Sequence, residues 1–140
     1  MESMFSHCNL LKSLDLSNFN TQNVARMDNM FTGCDSLITL NLSNFNTLIV
    51  TNMKSMFSHC ESLISLDLSN FNIQNFTNII YMFDCCYSLT ALDLSNFNNK
   101  NIMEMKTIFK DCNSLIYLYL SKFNTPNIQD KRKSNDCNII

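Results

Sequence analysis

Met4-Phe5, Met30-Phe31, Met56-Phe57, Met82-Phe83 and Ile108-Phe109 lie 26 residues apart, without slippage, along the whole chain. The residues between them recur in the same cycle: Cys34, then Leu37, Leu40 and Leu42, then Ser43-Asn44-Phe45-Asn46. A fixed period of this length marks a repeat architecture, in which one supersecondary unit buries its apolar face only against its neighbours. Such chains present surfaces more often than they carry chemistry.

Residues 27–52 serve as the type copy. Met27, Met30, Phe31 and Cys34 fall at i, i+3, i+4 and i+7, which predicts one face of a helix a little over two turns long. Leu37-x-x-Leu40-x-Leu42 ends with a period of two and predicts a short strand. Ser43-Asn44-Phe45-Asn46 then predicts a turn that sends its ring back inside. With one Gly and one Pro in 140 residues, the bends must be made by other residues. Asn tolerates left-handed backbone and forms Asx-turns, so Asn18, Asn20, Asn44, Asn46, Asn70, Asn72, Asn96 and Asn98 are expected there.

In register, the copies make nearly pure columns. Leu fills Leu11 to Leu115, Leu14 to Leu118 and Leu16 to Leu120, and ten of the eleven phenylalanines fall in two columns. Each such side chain contributes roughly 1.5–3 kcal/mol when buried. The expected fold is therefore an α/β repeat solenoid of about five 26-residue rungs. Short parallel strands would line one side and short helices the other, at the strand spacing of about 4.8 Å. The solenoid is expected over residues 1–128, its first repeat truncated, with a degenerate sixth repeat or tail over 129–140. Met1 falls in a core column of a repeat already under way, so the sequence predicts a missing cap, a start upstream, and end-to-end self-association of the exposed rung.

Leu37-x-x-Leu40-x-Leu42-x-Asn44 resembles the leucine-rich repeat, with Asn one position early. The longer unit Met56-Phe57-x-x-Cys60-x-Ser62-Leu63-x-x-Leu66-Asp67-Leu68-Ser69-Asn70-Phe71-Asn72 is similar to the BspA-like surface-protein repeats of bacteria and some protists. That resemblance implies a secreted or surface-anchored protein that binds extracellular or host proteins. The alternatives are an intracellular leucine-rich-repeat scaffold, consistent with unpaired cysteines and no visible export signal, and a passive repeat spacer.

A net charge of −2 and a pI near 5.5 give no electrostatic reason to expect nucleic acid. The one basic run, Lys131-Arg132-Lys133, reads as tail. Cys8, Cys34, Cys60, Cys86 and Cys112 form a column flanked by leucines and read as buried apolar thiols; Cys85 and Cys137 are strays. With no C-x-x-C pair, the spacing predicts no metal site. His7 and His59 each precede a column cysteine, but neighbours on a helix diverge by about 100°, so a Cys-His nucleophile pair is not expected. No acid, base and nucleophile set converges, which predicts a non-enzyme without cofactor or small-molecule substrate. Asn41-Leu42-Ser43 and Asn75-Phe76-Thr77 match a glycosylation pattern by chance in a chain of this composition.

The expected binding surface follows from strand alternation. With Leu40 and Leu42 inside, Thr39, Asn41 and Ser43 face out, as do their counterparts: Ser13, Ser65, Ala91 and Tyr117 in one column, Asp15, Asp67, Asp93 and Tyr119 in the next. The last rung sets Tyr117 and Tyr119 beside Lys122. Tyrosines bury large area at small entropic cost, so Tyr117, Tyr119, Lys122, Asp15, Asn41, Asp67 and Asp93 are the candidate partner-binding residues.

Overall fold

Seven strands of two or three residues and one four-residue helix make up the regular structure of the described residues. These are residues 1–74, 77–98, 105–120 and 138–139 of a computed structural model. In chain order they are β1 (Ser13–Asp15), β2 (Thr39–Asn41), β3 (Ile73–Gln74), β4 (Ala91–Asp93), β5 (Phe97–Asn98), α1 (Met105–Ile108), β6 (Tyr117–Tyr119) and β7 (Asn138–Ile139). All pairing is parallel, in three small sheets: β1 with β2, β3 with β5, and β6 between β4 and β7. Ser13 lies opposite Thr39 and Ala91 opposite Tyr117, and a lone Ser65–Ala91 bridge extends the row. A second row of bridges joins Arg26, Asn52 and Asn78.

The expected α/β solenoid, with strands on one side and helices on the other, is not formed, and the leucine-rich-repeat-like reading of the fold fails with it. Residues 27–34, 53–60 and 79–86, expected as helices, are runs of turns. The reason lies in where their amides go. Asn29, Phe31 and Gly33 donate across to the carbonyls of Lys54, Met56 and Ser58, while Thr32 and Cys34 donate back three residues to Asn29 and Phe31. Alternate amides thus leave the segment for the neighbouring repeat, where a helix would spend all of them on itself. Left-handed backbone recurs four residues apart, at Ser3 and His7, Asn29 and Gly33, Ser55 and His59, and Tyr81 and Cys85. That conformation interrupts a right-handed helix wherever it falls. The 3, 4, 7 spacing was real, but consecutive tight turns make it too. Among the described residues, only the fifth copy holds a helical turn, α1.

What joins the repeats is this lateral ladder together with matched columns of side chains. Phe5, Phe31, Phe57, Phe83 and Phe109 form a continuous stack, with centroids 5.6, 5.6, 5.5 and 5.6 Å apart and ring planes within 9° of parallel. Met30, Met56 and Met82 and the leucines Leu37, Leu63 and Leu89 lie fully buried beside it. The Cys34, Cys60, Cys86 and Cys112 thiols donate to the carbonyls of Phe5, Phe31, Phe57 and Phe83 at 3.1, 3.3, 3.1 and 2.8 Å. Burial pushes the Cys34 thiol up to about 11 and those of Cys60 and Cys86 further. Thiols held this way are weak nucleophiles.

The asparagines behave differently from expectation. Among the described residues, none of Asn18, Asn20, Asn44, Asn46, Asn70, Asn72 and Asn96 has left-handed backbone. Asn20 and Asn46 do close Asx-turns, accepting from the amides of Gln22 and Leu48. Asn44, Asn70 and Asn96 instead reach the neighbouring repeat, where their amides donate to the carbonyls of Ser17, Ser43 and Ser69. Buried Thr21 and Thr47 add reciprocal bonds, each hydroxyl donating to one carbonyl and accepting an amide, with Asn46 and Asn72 respectively.

Candidate functional site

The row of strands β1, β2, β4 and β6 turns Leu14, Leu40, Leu92 and Leu118 inward and alternate residues outward. Asp15, Asn41, Asp67 and Asp93 are all exposed, as the alternation predicts. They are not free for a partner on all their atoms. Asp15, Asp67 and Asp93 each accept the amide two residues on, from Ser17, Ser69 and Ser95, at 2.9, 2.9 and 2.8 Å, and Asn41 accepts from Ser43 at 3.1 Å. These are Asx-turns, closing β1, β2 and β4 and following the Ser65 bridge at Asp67. The backbone amides of Ser17 and Ser69 hold the Asp15 and Asp67 carboxyls below their usual 3.8. One oxygen of each side chain therefore serves the fold, leaving the other to solvent.

Tyr119 takes the place of that acid in the next repeat. It and Tyr117 stand on β6, flanked by β4 and β7, with Tyr117 opposite Ala91 on one side and Asn138 on the other. Tyr117 is 45% and Tyr119 40% exposed. Ile116, immediately before them, is 46% exposed, and large apolar side chains at that exposure contribute little to a core. Ile38 and Ile64 occupy the same repeat position as Ile116 and are also exposed. The amides of Ile38 and Ile116 donate to the carbonyls of Lys12 and Thr90, and Thr90 to that of Ile64, so the row runs alongside the strand row. Sequence reasoning missed these isoleucines. Their signal was the spacer inside Leu-x-x-Leu, where an apolar residue has no inward direction left. Lys122, the remaining candidate, lies outside the described residues.

The face is small, polar and partly acidic along β1 and β2 and apolar and aromatic at β6. Its titratable groups are the exposed carboxylates of Asp15, Asp67 and Asp93 and the hydroxyls of Tyr117 and Tyr119. The hollow between the Asn18 to Asn20 turn and Asn44 and Asn46 is open and lined by amides and Ser17. It has hydrogen-bonding capacity without titratable chemistry. Elsewhere, on the turn side, His59, Asp84 and Cys85 bring ligand atoms within 4.8 Å of one another. The sequence spacing predicted no such group, because its members come from different repeats. Among the described residues, no helix is long and apolar enough to cross a membrane.

A family profile described as "Mycoplasma protein of unknown function, DUF285" matches residues 1–123 and again 86–134. No curated protein matches the chain.

Proposed function

The chain belongs to the DUF285 family, and from that premise we propose that it is a non-enzymatic, protein-binding module of the cell surface, akin to the BspA-like repeat proteins. Its partner is an extracellular or host protein, and its contact face is the strand row centred on Ile116, Tyr117 and Tyr119. The observation that carries the reading is the exposure of Tyr117 and Tyr119 on a strand with neighbours on both sides, and of Ile116 just before it. Core columns repeat faithfully while the outward column runs Ser13, Thr39, Ser65, Ala91, Tyr117. Variation is thus concentrated where it does not disturb packing. Exposed aromatic and aliphatic groups on a rigid support are suited to act as interface anchors, since truncating such a residue in a complex costs more than about 1–2 kcal/mol.

The test is binding of purified, fluorescently labelled chain to intact animal cells, comparing wild type with the Ile116→Ser, Tyr117→Ser, Tyr119→Ser triple variant. A loss of about tenfold or more with an unchanged melting temperature is expected, tenfold corresponding to about 1.4 kcal/mol. Equal binding by both chains removes β6 from the contact face. Asx-turn use of Asp15, Asn41, Asp67 and Asp93 favours a second reading, a repeat spacer whose side chains serve the stack, and equal binding would support it.

A further inference from the structure

One repeat position carries left-handed backbone in every copy: His7 (φ 60), Gly33 (φ 71), His59 (φ 57), Cys85 (φ 57) and Asp111 (φ 59). Gly or Asn fits such a position at least cost, and Gly33 is the copy that uses it. The third, fourth and fifth copies carry in turn an imidazole, a thiol and a carboxylate. Their positions are clamped by the ladder, the His59 amide donating to the Asp84 carbonyl at 2.8 Å and the Cys85 amide to the Lys110 carbonyl at 2.9 Å.

The side chains converge. A ring nitrogen of His59, a carboxylate oxygen of Asp84 and Cys85 Sγ all lie within 4.8 Å of one another. Cys85 Sγ is 3.7 Å from Asp84 Oδ1, and Glu61 Oε1 is 3.7 Å from His59 Nδ1. Cys85 thus differs from the column thiols, which donate to phenylalanine carbonyls in the core. Burial raises its pKa, the Tyr87 hydroxyl lowers it, and the charges of Asp84 and Asp111 raise it again. The carboxylates of Asp84 and Asp111 act on the sulfur, and that of Glu61 faces the His59 ring. Lys110 Nζ is 3.8 Å from Asp111 Oδ2. The group is rich in ligands.

We infer that His59, Asp84 and Cys85, with solvent completing the coordination, form a binding site for a divalent transition-metal ion of the zinc class. Nitrogen, oxygen and sulfur donors together suit a borderline-soft ion and not calcium or magnesium, which take oxygen alone. A tetrahedral site needs ligand atoms about 3.5 Å apart, so side-chain rotations of about 1 Å close it. On binding, the metal–sulfur bond replaces the Cys85 S–H bond and the proton passes to solvent. The ion ties the third repeat to the fourth.

The experiment is a cobalt(II) titration of the reduced full chain, followed by zinc competition. One ion per chain is expected, with a thiolate-to-cobalt charge-transfer band that zinc abolishes, and zinc raises the melting temperature. Cys85→Ser and His59→Gln each weaken binding at least tenfold, the scale on which even supporting residues act, whereas His7→Gln leaves it unchanged. A spectrum without a thiolate band overturns the site, as does a band that survives in Cys85→Ser. Should Cys85→Ser fail to fold, His59→Gln decides by the same band: lost in a folded chain, it supports the site, and kept at full affinity it overturns it.

Discussion

Gly33 stands at a left-handed turn position, and a Cβ built there would lie 2.5 Å from His7 Nδ1 in the repeat above. Two costs follow for Gly33→Ala, the conformation and the collision. The first is modest, since His59, Cys85 and Asp111 carry side chains at the same place; together we expect about 1–3 kcal/mol. The same substitution in a His7→Ala background should cost clearly less, and urea unfolding of the four chains of that cycle measures the difference. Equal costs in both backgrounds would show that the imidazole yields freely. Asp28 is a second informative residue, 4% exposed and hydrogen-bonded by Arg26 at 3.0 and 2.9 Å. The guanidinium holds its carboxyl below the usual 3.8. A depressed folded-state pKa gives stability that is complete above about pH 4 and lost as pH falls through the folded value. The urea midpoint should therefore drop as pH falls below about 4, and less steeply in Asp28→Asn; Asp15 and Asp67 act with the same sign. An identical slope in the two chains would remove Asp28 from the acid response. At this scale the sequence was legible in part: Asp67 as an outward residue could be read from alternation, its Asx-turn could not.

Each repeat is held to the next by amides that point sideways and by rings that stack, and neither is visible as a local pattern. The spacing Met27, Met30, Phe31, Cys34 predicted which residues are buried, and all four are. It mistook the backbone, because a string of tight turns places side chains at nearly the intervals of a helix. The residues that could have separated the two are Asn29 and Gly33, poor in a helix and good in left-handed turns. Ser55, His59, Tyr81 and Cys85 hide the same positions in the other copies. Strand residues fared better, since the alternation of Leu-x-Leu is visible in the sequence itself: Leu14, Leu40, Leu92 and Leu118 all face in from their strands. The ring stack makes a graded prediction. Phe57 is fully buried between Phe31 and Phe83, so Phe57→Ala should cost about 3–5 kcal/mol. Phe5 is only partly buried at one end of the stack, and Phe5→Ala should cost less than half as much. Equal losses in denaturant midpoint would mean that the stack is not what couples the repeats.

For the molecule as a whole, the repeat separates two demands. Inward columns of Leu, Met, Phe and Cys are kept the same so that every copy fits its neighbours, and outward positions are left to differ. That separation is why the number and phase of repeats could be read from the sequence, while the partner-facing residues could be read only as columns, without Ile38, Ile64 and Ile116. It also explains why His59, Asp84 and Cys85 escaped notice, because a ligand set assembled across copies has no spacing motif. The account holds that the outward strand row meets proteins outside the cell. Protease shaving of intact source cells, with mass spectrometry of the released peptides, tests that most directly. The account predicts peptides of this chain from cells whose cytoplasmic markers stay inside, and recovery only after lysis would contradict it.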